Sequence, residues 1–132
     1  MDKSLKNRVC ELRASLKHGE NATQDQLDHL CREWQAHINP SGTDRETLVL
    51  VDSHGSACVP ALKAPRWLCH LLGLRHKCAH VVLRWHSPGL GPAYVLQVRG
   101  WDKDCLPGHL DTTVGGHIIG EASSQQAAFQ EM

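Results

Sequence analysis

Apolar residues recur at helical spacing over the first third of the chain. Leu5, Val9, Leu12 and Leu16 lie about one turn apart between Lys3 and Lys17, which gives a helix there one apolar face, and His18-Gly19 stops it. Thr23-Gln24-Asp25-Gln26 then reads as a capping box, in which hydroxyl and amide side chains satisfy the open backbone amides of a helix start. The helix it opens buries Leu27, Leu30, Cys31, Trp34 and Ile38, and Asn39-Pro40-Ser41-Gly42 ends it. Together the two segments predict a helical hairpin over residues 1–42. Its faces carry no clustered polar chemistry, so its task is packing or partner contact.

After this break the period changes. Residues 47–52, TLVLVD, form a β-rich run that closes on the turn Asp52-Ser53-His54-Gly55. Residues 64–72, APRWLCHLL, suit a short helix with a proline in its first turn and Gly73 beyond its end. Residues 78–85 and 93–98 read as strands joined by the loop SPGLGP, residues 87–92. Leu106-Pro107-Gly108 makes a turn, Thr112 to Val114 a short strand before Gly115-Gly116, and the chain is helical in composition from about Ser123. Residues 43–132 therefore predict a mixed α/β domain behind the hairpin.

Composition narrows the function classes. Lys and Arg (14) balance Asp and Glu (14), and a neutral chain lacks the clustered positive field that nucleic acid or a membrane surface requires. No apolar run approaches the roughly 18 residues of a membrane span. The amphipathic N-terminus, with its acidic residues, resembles no signal peptide, so a cytoplasmic location is expected. The six cysteines are scattered without a CxxC, which points to reduced thiols rather than a disulfide framework.

The candidate chemistry lies near the end. Gly116 is followed after five residues by Ala122, and seven residues later come Gln130, Glu131 and Met132. Upstream stand PRWLCHLLGLRHKCAHVVL and YVLQVRGWDKDCLPGHLDTTVGGH. In order and spacing these segments resemble the Nudix superfamily, whose box is written GX5EX7REUXEEXGU with U aliphatic. The likeness is to the branch that holds isopentenyl-diphosphate isomerase and its hydrolase relatives. It runs from about residue 46 to 132. Gly116, Glu131 and Met132 match the box, whereas Ala122 stands where the family has Glu and Gln130 where it has Arg.

The resemblance implies an α/β/α sandwich, C-terminally incomplete here, with the helical hairpin as an extension. It also implies a metal-dependent hydrolase of a nucleoside diphosphate linked to another moiety, using Mg²⁺ or Mn²⁺. Glu131 takes the catalytic, metal-binding role, with Glu121, one position early, standing in for the carboxylate missing at Ala122. His76 and His117 match metal-binding histidines of the isomerase, and His70 matches a third with its spacing to His76 one residue short. Arg99 and Lys103 match the positions that hold the diphosphate, Arg66 a further basic position, and Gly115 and Gly116 let a ligand approach the backbone. Hard cations want clustered carboxylates, and guanidinium groups pair with phosphate in bidentate fashion, so these residue types suit the reaction. Each also has a plainer reading: Arg99 as an exposed strand residue, Lys103 as a solvated loop charge, Arg66 as a helix-surface residue, and Glu121 as a turn residue.

Three functions remain open on this reading. The isomerase needs a cysteine where the chain has Gly115, so hydrolysis is preferred over isomerisation. The box's further carboxylates would fall beyond Met132, which implies impaired turnover or a non-catalytic diphosphate-binding or scaffold domain. A partner or a second copy would then cover the incomplete sheet face.

Overall fold

The computed structural model describes residues 3–103, 105–120 and 122–132. The chain forms a mixed α+β structure of helices and small antiparallel ladders, the class expected from its pattern. Contacts divide it into two compact units, Met1–Lys77 with Ile118–Glu121, and Cys78–His117 with Ala122–Met132.

In the first unit, helix α1 spans Lys3–Leu16 and stops where Lys17, His18 and Gly19 take positive φ. Helix α2 spans Gln24–Ile38. Its capping box forms as expected: the Gln26 amide donates to Thr23 Oγ1 at 3.3 Å, and the Thr23 amide donates to Gln26 Oε1 at 2.9 Å. Asn39 closes the helix in the left-handed region (φ +49°), where a short polar side chain is tolerated. Strand β1 (Thr47–Val49) pairs with β2 (Lys63–Pro65), and α3 (Arg66–Leu72) follows directly, capped by Gly73 at φ +65°. Val9, Leu16, Leu27, Leu30 and Trp34 share one hydrophobic core with Leu48, Leu50, Leu68 and Leu72. Residues 118–120 return to this unit, with the Gly120 amide donating to the Thr47 carbonyl.

The expected strand over 47–52 is shorter than its β-propensity suggested. Leu50 and Val51 make only isolated bridges, to His76 and Ala57, although the Leu50 amide still donates to the Leu62 carbonyl at 2.9 Å. The helix expected from Ala64 starts at Arg66. Ala64 and Pro65 belong to β2, and Pro65 serves as N-cap, where its missing amide leaves no helix bond unmade.

In the second unit the strands pair two by two. Strand β3 (Cys78–Val81) pairs with β8 (Val114–His117), β4 (Leu83–Ser87) with β5 (Gly91–Val95), and β6 (Gln97–Val98) with β7 (Leu110–Asp111). Both long strands expected from the sequence are therefore split, at Val82 and at Leu96, where each changes partner. The loop expected over 87–92 is a tight turn. Pro88 and Gly89 occupy its central positions, Gly89 at φ +92°, and the Leu90 amide closes onto the Ser87 carbonyl. Thr113 ties the ends of this hairpin, its hydroxyl donating to the Val95 carbonyl and accepting from the Leu83 amide. Helix α4 (Ser124–Glu131) packs across β3 and β8.

Candidate functional site

The β3–β8 ladder sets the candidate site of the second unit. Directly opposed residues share a face of an antiparallel ladder. Ala79 with Gly116 and Val81 with Val114 therefore make one face, and Cys78 with His117 and His80 with Gly115 the other. Helix α4 begins at a second capping box, where Ser123 Oγ accepts from the Gln126 amide at 3.2 Å and the Ser123 amide donates to Gln126 Oε1 at 2.9 Å. Its Ala127 is buried, and one turn later Glu131 reaches Gly116. The approach is so close that a methyl group on Gly116 would overlap the Glu131 carboxyl group. Gly115 and Gly116 thus sit inside β8, which runs Val114–His117 rather than ending before them. Their missing side chains leave room for the Glu131 carboxylate over Gly116 and for the His80 ring and Thr112 hydroxyl against Gly115. Glu121 lies outside the described residues.

Arg99 and Lys103 follow β6 in the same unit. Arg99 Nη1 donates to Asp111 Oδ2 at 2.5 Å and Nε to the Cys105 carbonyl at 3.0 Å. This places the guanidinium on a carboxylate and a carbonyl of its own chain. Asp111 also accepts from the Thr112 amide at 2.8 Å. The Arg99 hydrogen bond first, then that of the Thr112 amide, holds its carboxyl below the usual carboxylate range. His80 Nδ1 lies 3.0 Å from Thr112 Oγ1, which extends the chain of contacts from Arg99 through Asp111 and Thr112 to His80. The Lys103 ammonium makes no ion pair with a described residue, and its amide donates to the Gly100 carbonyl. Sequence reasoning singled out neither His80 nor Thr112. Asp111 lies in the segment YVLQVRGWDKDCLPGHLDTTVGGH that carries the resemblance but has no assigned role there.

The other expected residues belong to the first unit. Arg66 begins α3, and its Nη1 donates to Asp44 Oδ1 at 2.6 Å with little of the side chain exposed. It is therefore part of a structural ion pair rather than an open helix-surface charge. His70 and His76 stack with ring centroids 5.4 Å apart and planes inclined by 27°. His76 Nδ1 lies 2.9 Å from the Leu74 carbonyl oxygen. A carbonyl only accepts, so Nδ1 is the donor in this contact. His117, in the second unit, ends β8 opposite Cys78.

The donor types fit two different kinds of ion. The carboxylate of Glu131 is a hard oxygen donor suited to Mg²⁺ or Mn²⁺, whereas imidazole at His76 or His117 suits Mn²⁺ and other transition ions better than Mg²⁺. No helix of the described residues is long and apolar enough to cross a membrane. No family model, curated protein or solved structure matches the chain, so its functional reading stands on these residues and their geometry.

Proposed function

We propose that the chain binds, and slowly hydrolyses, a nucleoside diphosphate linked to another moiety, in the manner of a Nudix hydrolase and with Mn²⁺ or Mg²⁺. The contact of Glu131 with the backbone at Gly116 carries this reading. Those residues, fifteen positions apart (131 − 116), are both box positions, and the Glu131 carboxyl group lies against Gly116. A bound divalent ion would neutralise phosphate oxygens and acidify a water. Glu131 would hold that ion through a carboxylate oxygen. Arg99, fixed by Asp111 and the Cys105 carbonyl, offers Nη2 to a phosphate oxygen, and the Lys103 ammonium adds attraction. His117, in the same unit as Glu131, keeps the metal-ligand role that the resemblance gives it.

Ala122 and Gln130, in place of the box's Glu and Arg, remove a carboxylate and the cation beside it. Turnover therefore falls below about 1 per second, the low end for ordinary enzymes. This same pair of replacements favours the second reading, a diphosphate-binding domain without catalysis. The deciding assay follows nucleoside monophosphate release from dinucleoside and sugar-linked diphosphates with Mn²⁺, for the wild type and Glu131→Gln. Metal-dependent release that Glu131→Gln abolishes supports hydrolysis. Calorimetric binding of a nucleoside diphosphate without release leaves the binding reading. Absence of both, or release unchanged in Glu131→Gln, removes the site.

A further inference from the structure

The loop after Arg99 carries a tryptophan that is open on one side and seated on the other. Trp101 is 82% exposed, so its indole gains little from burial. Yet a Cβ added to Gly108 would lie 2.5, 2.6 and 3.0 Å from Cη2, Cζ3 and Cζ2 of the ring. These near-equal distances put Gly108 under a face of the six-membered ring, since an edge-on approach would leave Cζ2 and Cζ3 much farther off than Cη2. The seat needs glycine for two reasons. Its φ is +72°, which residues with a side chain rarely adopt, and any side chain there would enter the ring. One face of the indole is therefore held against backbone, and the other stands in solvent.

The same glycine ties this ring to the candidate diphosphate site. The Gly108 amide donates to the Arg99 carbonyl at 3.1 Å and the Arg99 amide to the His109 carbonyl at 2.9 Å, so the backbone under the indole lies across from the arginine. The Lys103 amide donates to the Gly100 carbonyl at 3.3 Å, closing a turn that carries Trp101 between the two cations. The Arg99 guanidinium enters the same loop through its bond to the Cys105 carbonyl. A fixed, uncharged π surface beside cations suits the two halves of a nucleotide. Aromatic side chains stack a base through its π face, and guanidinium groups pair with phosphate.

We propose that Trp101 is the base platform of this site: the base of the nucleoside stacks on the open indole face while Arg99 and Lys103 take the diphosphate. The inference rests on the diphosphate reading and adds the residue that selects a nucleotide over a bare diphosphate ester.

ADP is compared with methyl diphosphate, which keeps the two phosphates and lacks base and sugar, each titrated into the full chain by calorimetry with Mn²⁺. ADP should bind at least about ten-fold more tightly, a margin within the strength of one base–aromatic stack. Trp101→Ala should bring ADP to the level of methyl diphosphate and leave methyl diphosphate unchanged. Trp101→Phe, which keeps a ring over Gly108, should retain most of the preference. In the wild-type complex the adenine ring protons should shift upfield under the indole ring current, and Trp101→Ala should remove that shift. Equal wild-type affinity for the two ligands, ADP binding that Trp101→Ala leaves unchanged, or a loss shared by both ligands overturns the platform and leaves the diphosphate reading standing. Methyl diphosphate that does not bind, while ADP still depends on Trp101, removes the diphosphate reading and supports the platform. Binding of neither ligand removes both.

Discussion

Burial sets the chemistry of the shifted thiols in this chain, and hydrogen bonds that of the shifted carboxylates. Cys69 sits on α3 with no exposed surface, its sulfur 3.7 Å from the Ala64 carbonyl oxygen. Desolvation pushes its thiol from the ordinary 9.0 up to about 12. Between those values the unfolded chain has lost the proton that the native state still holds, so stability falls as pH rises. The slope approaches about 1.4 kcal/mol per pH unit from this group. Denaturant titrations from pH 8 to 11 should show the decline in the wild type and a smaller one in Cys69→Ala. Identical slopes would mean that the thiol is not desolvated. Asp111 shows the opposite sign: the Arg99 hydrogen bond lowers its pKa, and its contribution is lost only as pH falls through that lowered value. At this scale the sequence was a good guide to residue type and a poor guide to partner. Arg66 and Arg99 read as cations awaiting a phosphate, and nothing in their spacing announced that Asp44 and Asp111 would hold them.

At the level of elements, the helices were legible and the strands much less so. An apolar stripe and a capping box are local signals, and α1 and α2 followed them to within a residue or two, while α4 begins where composition alone placed it. Strand limits depend on where a distant partner begins and ends. Val82 and Leu96 therefore carry ordinary β residues yet separate strands that pair differently. Strands β2 and β7, three and two residues long, have no periodicity to detect and exist because β1 and β6 recruit them. The packing of α4 on β8 offers the sharpest test of an element contact. Gly116→Ala places a methyl where the Glu131 carboxyl group lies, so the end of α4 must lift or the glutamate must turn away. Overpacking of this kind costs about 1–3 kcal/mol. Glu131→Ala should restore most of that loss in the double variant. Thermal unfolding of the two singles and the double measures the coupling, and strictly additive effects would show that the two residues do not touch.

Across the whole molecule, the two units differ in how much apolar surface they bury. Nearly all of the buried hydrophobic residues lie in the first unit, and the second contributes Ala79 and Ala127. Leu83, Trp85 and Val95 share one face of the β4–β5 hairpin and stay largely exposed. A two-stranded ribbon with an open apolar face is marginal in water, and its unpaired edges invite association with other chains. Hydrogen exchange should therefore rank amides of α2 and α3 as the most protected, with β4 and β5 exchanging through openings of much lower free energy. Equal protection in both units would mean that the second is stabilised by something other than its own apolar burial. The sequence could not reveal this imbalance, because its hydrophobic residues are spread along both segments and burial depends on which of them find a partner.

The tryptophans fall out along the same division. Trp34 and Trp67 are 1% and 7% exposed and belong to the first unit, whereas Trp85 and Trp101 are 62% and 82% exposed and belong to the second. Iodide in solution can collide with the second pair and not the first. The chain's intrinsic fluorescence thus contains two separable signals, a red-shifted one that a quencher removes and a blue-shifted one that it leaves. Without any added label, an optical unfolding curve recorded with and without quencher can follow each unit on its own.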